Sequence, residues 1–162
     1  MKTRRACREA ALQALYQCDV VGDCSPAAIE SCLSHFCYLD DSSQEVVGDP
    51  QCNDEDRSFC LDIALGVLQY IKVIDDQIGL ASTNWSIARM PRVDRNILRL
   101  AVYEFMFRPD IPPKVTINEA IEISKRFSSD DAPTFINGVL DRVLSLLPPR
   151  VQRASDHEAA SR

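Results

Sequence analysis

Three groups of side chains in this sequence have the types and the spacing that binding or chemistry uses. Near the N-terminus, Arg5, Arg8, Leu12 and Tyr16 share one stripe when projected at about 100° per residue. Two guanidinium groups then lie one to three turns ahead of an aromatic ring, a composition that holds a nucleic-acid backbone and stacks a base. A core-edge tyrosine with two solvated arginines has the same pattern. Farther along, Phe127 and Phe135 flank the turn Ser128-Ser129-Asp130-Asp131. An aromatic at a helix start, beside free backbone N–H groups, suits a single-stranded base and its phosphate; a hydrophobic staple closing the turn uses the same residue types. The third group is Cys32, His35 and Cys37, which have metal-ligand chemistry but no convincing fourth ligand.

Catalysis needs more than these groups offer. The five glycines, at positions 22, 48, 66, 79 and 138, are scattered and form no phosphate loop, and no serine sits in a Gly-x-Ser-x-Gly elbow. His35 is the only histidine inside the expected fold, and its neighbours Cys32 and Cys37 read as packing. Asp130-Asp131 is a turn-and-cap pair before it is a pair of carboxylates. The expectation is a binding surface with no enzyme activity, no cofactor and no metal. All seven cysteines fall between positions 7 and 60, their number is odd, and no Cys-x-x-Cys occurs. They are expected to be unbonded structural thiols, with Cys7 and Cys18 joining Ala11 and Leu15 on one apolar face.

The formal net charge of -6 argues against indiscriminate nucleic-acid binding, but its distribution is uneven. Residues 17–80 carry two basic and thirteen acidic side chains, whereas residues 1–16 carry four basic and one acidic. A local anion site on an acidic protein is compatible with that division. No apolar run approaches the ~20 residues of a membrane span. The basic start Met1–Arg5 leads into an amphipathic pattern without a cleavage site, so no membrane association and a cytoplasmic location are expected.

These candidates need helices to position them. The first helix is expected over 4–21. Ser25-Pro26 opens a second, to about Leu39, and a polar, mobile connection follows over 40–53. Asn53 caps a third helix running to Leu80, with Gly66 marking a close crossing or slight break. Residues 92–107 are apolar over most of the helical circumference, which requires a surrounded, central helix. Arg92, Arg95 and Arg99 bunch towards its start, where the macrodipole disfavours cations, so they either face water or serve an anion. Thr116-Ile117-Asn118-Glu119 reads as a capping box, Asn137-Gly138 as a close helix approach, Pro133 as the start of the last helix, and Arg150–Arg162 as a disordered tail.

At this level of detail four segments resemble the NusB family of transcription antitermination factors. They are Arg8-Glu9-Ala10-Ala11-Leu12-Gln13-Ala14-Leu15-Tyr16, Ile97–Phe105, Pro113–Glu122 and Phe135-Ile136-Asn137-Gly138-Val139-Leu140-Asp141, in the family's order. The resemblance implies an all-α, seven-helix, two-subdomain bundle over 1–149, with N-terminal helices in 4–80 and C-terminal helices in 85–147. It also implies binding of single-stranded boxA RNA together with a ribosomal protein, NusE, within the antitermination complex on RNA polymerase. By position, Arg4, Arg5 and Arg8 match the family's basic arm. Tyr16, Phe127, Asp131 and Phe135 match its RNA-contacting residues, and Asp94, with Lys114 beside it, its partner-binding positions. Three departures stand out: Ala6 and Cys7 interrupt the arm, the 40–56 connection is long and acidic, and Ser128 follows Phe127 where a glycine is common. They imply weak RNA binding without the partner. The competing reading is a helical protein-interaction module without RNA readout, and homodimers through the RNA surface occur in the family.

Overall fold

The structure is a computed structural model that describes residues 4–38 and 53–149. The expected mobile connection over 40–52 and the tail from Arg150 lie outside the described residues, as do the side chains of Phe36 and Cys37. Seven α-helices and no strand occur among the described residues: α1 Arg4–Val21, α2 Pro26–Tyr38, α3 Asp54–Gln69, α4 Ile71–Ala81, α5 Arg92–Phe107, α6 Pro113–Phe127 and α7 Ala132–Leu146. The chain divides into two compact units, Met1–Gln69 and Tyr70–Arg162.

In the first unit α1 packs on α2 and α3. The expected apolar face of α1 (Cys7, Ala11, Leu15 and Cys18) is buried, and Ile29 and Leu33 of α2 and Phe59, Ile63 and Val67 of α3 complete the core. Local signals set the helix starts. The Ser25 hydroxyl accepts the Ala28 N–H at 3.2 Å, with Pro26 at the first helical position. Asn53 Oδ1 accepts the Asp56 N–H at 2.8 Å while Asp56 Oδ2 accepts the Asn53 N–H at 3.4 Å, a reciprocal cap on α3. Gly22, at φ 79°, ends α1 and returns its N–H to the Cys18 carbonyl at 2.8 Å. That reversal brings Cys24 to 5.0 Å from Cys18 between Cα atoms, and the two are joined as a disulfide. The expectation of unbonded thiols fails for this pair because a left-handed glycine between them folds the chain back.

The expected unbroken helix from Asn53 to Leu80 is two helices. It breaks at Tyr70 (φ -110°, ψ 20°), not at Gly66, which is buried inside α3. Tyr70 stacks on Phe107 with ring centroids 4.2 Å apart, and Ile74 and Ile78 of α4 enter the core of the second unit. The units therefore part between Gln69 and Tyr70, so residues 70–80 group with the C-terminal helices.

In the second unit α5 is central, packed against α4, α6 and α7 and buried continuously from Asn96 to Phe105. Its buried polar groups have partners inside the unit. Arg99 makes a bidentate pair with Asp75 of α4 at 2.8 Å for both contacts, and its Nη1 donates to Asn96 Oδ1 at 3.3 Å. Thr116 of α6 donates its hydroxyl to the buried Glu104 carboxylate at 2.6 Å. That bond accounts for a missed boundary: α6 opens at Pro113, and Thr116, expected as its cap, is a buried interior residue. Gly138, expected at a close helix approach, is exposed, and a Cβ there would meet nothing within 4 Å.

Two substitutions test this packing by urea unfolding. Asp75→Ala leaves the buried Arg99 guanidinium without its carboxylate and is expected to destabilise by about 3 kcal/mol. Gly138→Ala, in open space on a helix, is expected to stabilise by up to about 1 kcal/mol.

Candidate nucleic-acid interface

Each unit carries part of the residue set read from the sequence. In the first, the N-terminal stripe divides in two. Arg8, 6% exposed, lies inside with its guanidinium 5.5 Å from the Phe59 ring centroid, and Leu12 is buried beside it on α1. Arg4 stacks over the same ring at 4.3 Å and pairs with Glu55 at 3.1 Å. Arg5 and Tyr16 face outwards, and Tyr16 is 42% exposed. The division comes from α3, which sets an aromatic ring and an acidic first turn against the start of α1. Arg8 is thus buried behind the outward-facing part of the stripe. Arg4 is held by an exposed pair that a stronger anion can displace at small cost.

In the second unit three of the expected residues gather around one turn. Phe127 ends α6, half-buried, with the Arg126 guanidinium 5.1 Å from its ring centroid. Asp131 is exposed at the N-cap position of α7, and Phe135 is half-buried one turn later. The turn is tied down from beneath, since Ser128 donates its hydroxyl to Asp94 in the first turn of α5.

Asp94 itself is only 4% exposed. Its expected partner-facing position becomes an internal one, because its carboxylate is the acceptor that fixes this turn. Lys114 is exposed but is not beside it. The Asp94–Ser128 and Glu104–Thr116 bonds make α5 and α6 antiparallel, and the separation of fourteen positions from Lys114 to Ser128 amounts to about 20 Å of helix.

One residue escaped the sequence reading. Trp85 lies 52% exposed in the segment between α4 and α5, its ring edge-on to Phe135 with centroids 6.4 Å apart. The available signal was a tryptophan outside any helical periodicity, followed by Arg89 and Arg92.

Of the grouping of Cys32, His35 and Cys37, the Cys37 side chain lies outside the described residues. No three His, Cys, Asp or Glu side chains gather to hold a metal ion among the described residues. Cys32 donates to Gln17 Oε1 at 3.3 Å, and burial pushes its thiol up, away from the thiolate that a nucleophile or ligand requires. No helix among the described residues is long and apolar enough to cross a membrane.

The chain matches the model of the NusB family over residues 5–145. It is 47% identical over 150 residues to the transcription antitermination protein NusB of Geotalea uraniireducens, covering 93% of this chain and 99% of that one. The NusB of Geobacter sulfurreducens shows the same identity and coverage. Among solved structures, T. maritima NusB superposes with a TM-score of 0.78 at 34% identity, over 94% of this chain and 99% of that one. A crystal structure of the antitermination factors NusB and NusE in complex with dsRNA shares the fold, with a TM-score of 0.71 at 23% identity over 89% and 97% of the two chains.

The split of the arginine stripe is open to a direct check. Arg8→Ala is expected to lower unfolding stability by about 1–3 kcal/mol through lost packing on Phe59, while Arg5→Ala changes it by less than about 0.5 kcal/mol.

Proposed function

We propose, from the premise that this chain belongs to the NusB family, that it is a non-catalytic transcription antitermination factor of the cytoplasm. In this reading it binds single-stranded boxA RNA of ribosomal RNA transcripts, together with the ribosomal protein NusE, within the antitermination complex on RNA polymerase. What carries the reading is the likeness over residues 5–145 and the shared name of relatives matched over nearly their whole length. The RNA contacts proposed are Arg4, Arg5 and Tyr16 on the first unit and Phe127, Asp131 and Phe135 on the second. Arg8 supports the arm from behind and Asp94 supports the turn, while Lys114 is proposed to meet the partner.

Charge shapes the mechanism. With a net charge of -6, with Arg4 paired to Glu55 and with Arg8 buried, the free chain offers a phosphate backbone little exposed positive charge from these two residues. Stacking on aromatic rings then supplies selectivity for unstacked bases, and a basic partner supplies the counterion-release part of the affinity. Binding by the pair is therefore expected to be much tighter than by this chain alone, and to weaken as salt rises.

The test is binding of a labelled single-stranded boxA-like RNA, with and without NusE, across a salt series. Tyr16→Ala and Phe135→Ala are each expected to weaken selective binding by about tenfold. Their unfolding midpoints should stay within about 2 °C of the parent, since both rings are partly in water. Absence of selective binding even with the partner present would leave the alternative, a helical interaction module without RNA readout.

A further inference from the structure

Trp85 combines two properties that packing alone does not explain. Its backbone is fixed at both ends: the Ser82 hydroxyl donates to the Trp85 carbonyl at 2.6 Å, and the Trp85 N–H donates to the Ser82 carbonyl at 3.3 Å. A single 3-10 turn follows at once, Ile87–Arg89, closed by the Arg89 N–H on the Ser86 carbonyl at 3.0 Å and by the Met90 N–H on the Ile87 carbonyl at 3.2 Å. Yet the indole on this rigid mount is more than half in water. The Trp85 and Phe135 rings are inclined at 61° with centroids 6.4 Å apart, so they touch without stacking face to face. A structural staple between two aromatics would bury them; this arrangement holds one out.

The surrounding charge points the same way. Residues 85–92 contain two arginines and no acidic residue, in a chain that is acidic overall. Arg89 and Arg92 are exposed, whereas the next two arginines turn inwards: Arg95 towards the Ile87 carbonyl at 3.5 Å and Arg99 onto Asp75. Asp131, one turn before Phe135, adds an exposed acceptor for a base N–H or a ribose hydroxyl.

We propose that Trp85 is a base-stacking residue of this protein, its exposed indole receiving an unstacked base of single-stranded RNA while Arg89 and Arg92 meet the neighbouring phosphates. The proposal rests on the RNA-binding reading above and extends it to residues outside the set read from the sequence. A preformed ring on a fixed loop loses little conformational freedom on binding, which favours stacking here over a flexible side chain. Base paired in a duplex, the same nucleotide would not offer its face, so the platform selects single strands.

Trp85 is the only tryptophan in the chain, so its emission reports directly on its surroundings. The same RNA oligonucleotide is titrated into the full chain, alone and with the ribosomal protein partner, against a control of partner without RNA. Expected are quenching of the indole emission at saturation and a Kd raised about tenfold in Trp85→Ala with the salt slope unchanged. Arg89→Gln and Arg92→Gln should each flatten the salt slope by about one unit. Trp85→Leu keeps apolar bulk against Phe135 but removes the flat ring; it should bind as weakly as Trp85→Ala, which separates stacking from a folding defect. RNA bound with unchanged emission and with full affinity in Trp85→Leu overturns the proposal and leaves the RNA-binding function standing. Absence of RNA binding by the parent chain with its partner overturns both. Quenching by the partner without RNA, with partner affinity lost in Trp85→Leu and RNA affinity kept, makes the aromatic pair a protein-docking site and also overturns it.

Discussion

The buried guanidinium of Arg99 and the carboxylate of Asp75 that receives it in two parallel hydrogen bonds fix the second unit. A helix buried on every side has no water-facing edge on which to place its polar residues, and a desolvated charge is tolerated only when it is paired and hydrogen-bonded. The sequence of α5 carries three such groups, and each is tied to a residue of a neighbouring element. Arg99 reaches α4, Glu104 reaches Thr116 of α6, and Asp94 reaches Ser128 where α6 gives way to the last turn. Apolar packing alone would let these helices slide by a turn at modest cost. Three directional bonds remove that freedom and set the register of the unit.

The candidate interface inherits this precision. Asp94 and Ser128 hold the turn that carries the half-buried Phe127 and Phe135 and the exposed Asp131, so a bond at the base of the unit decides where these side chains stand. The segment from Ser82 to Met90 is stiffened by its own short hydrogen bonds and places Trp85 against Phe135. Aromatic rings in water carry a free-energy penalty that a folded domain ordinarily avoids by burying them.

The first unit solves a different problem. Its basic arm starts a helix, where the macrodipole is unfavourable to cations, and α3 answers with Phe59 beneath two guanidinium groups and with Glu55 beside one of them. This stabilises the start of α1 and at the same time reduces the positive potential offered to a phosphate backbone. A basic partner in RNA binding is consistent with that compromise.

Helical periodicity determined the all-helical class, the apolar face of α1, the central position of α5, and the starts of α2 and α3, because burial pattern and capping chemistry are local in sequence. Periodicity also placed Tyr16 on the arginine stripe, and turn chemistry placed Phe127 and Phe135 at either side of one turn. It did not separate Arg8 from Arg5, since both lie on one stripe and only the approach of Phe59 from another helix buries one of them. Nor did it reveal that Asp94 faces inwards, that Lys114 stands a helix length away from it, or that the third helix breaks at Tyr70. Each of those depends on contacts between residues tens of positions apart. Trp85 belongs with them: its sequence neighbours mark only a turn, and its meaning comes from Phe135, fifty residues later in the chain. Local patterns fix which residues form helices and which face is apolar, whereas the exposure of a polar or aromatic side chain is decided by what packs over it.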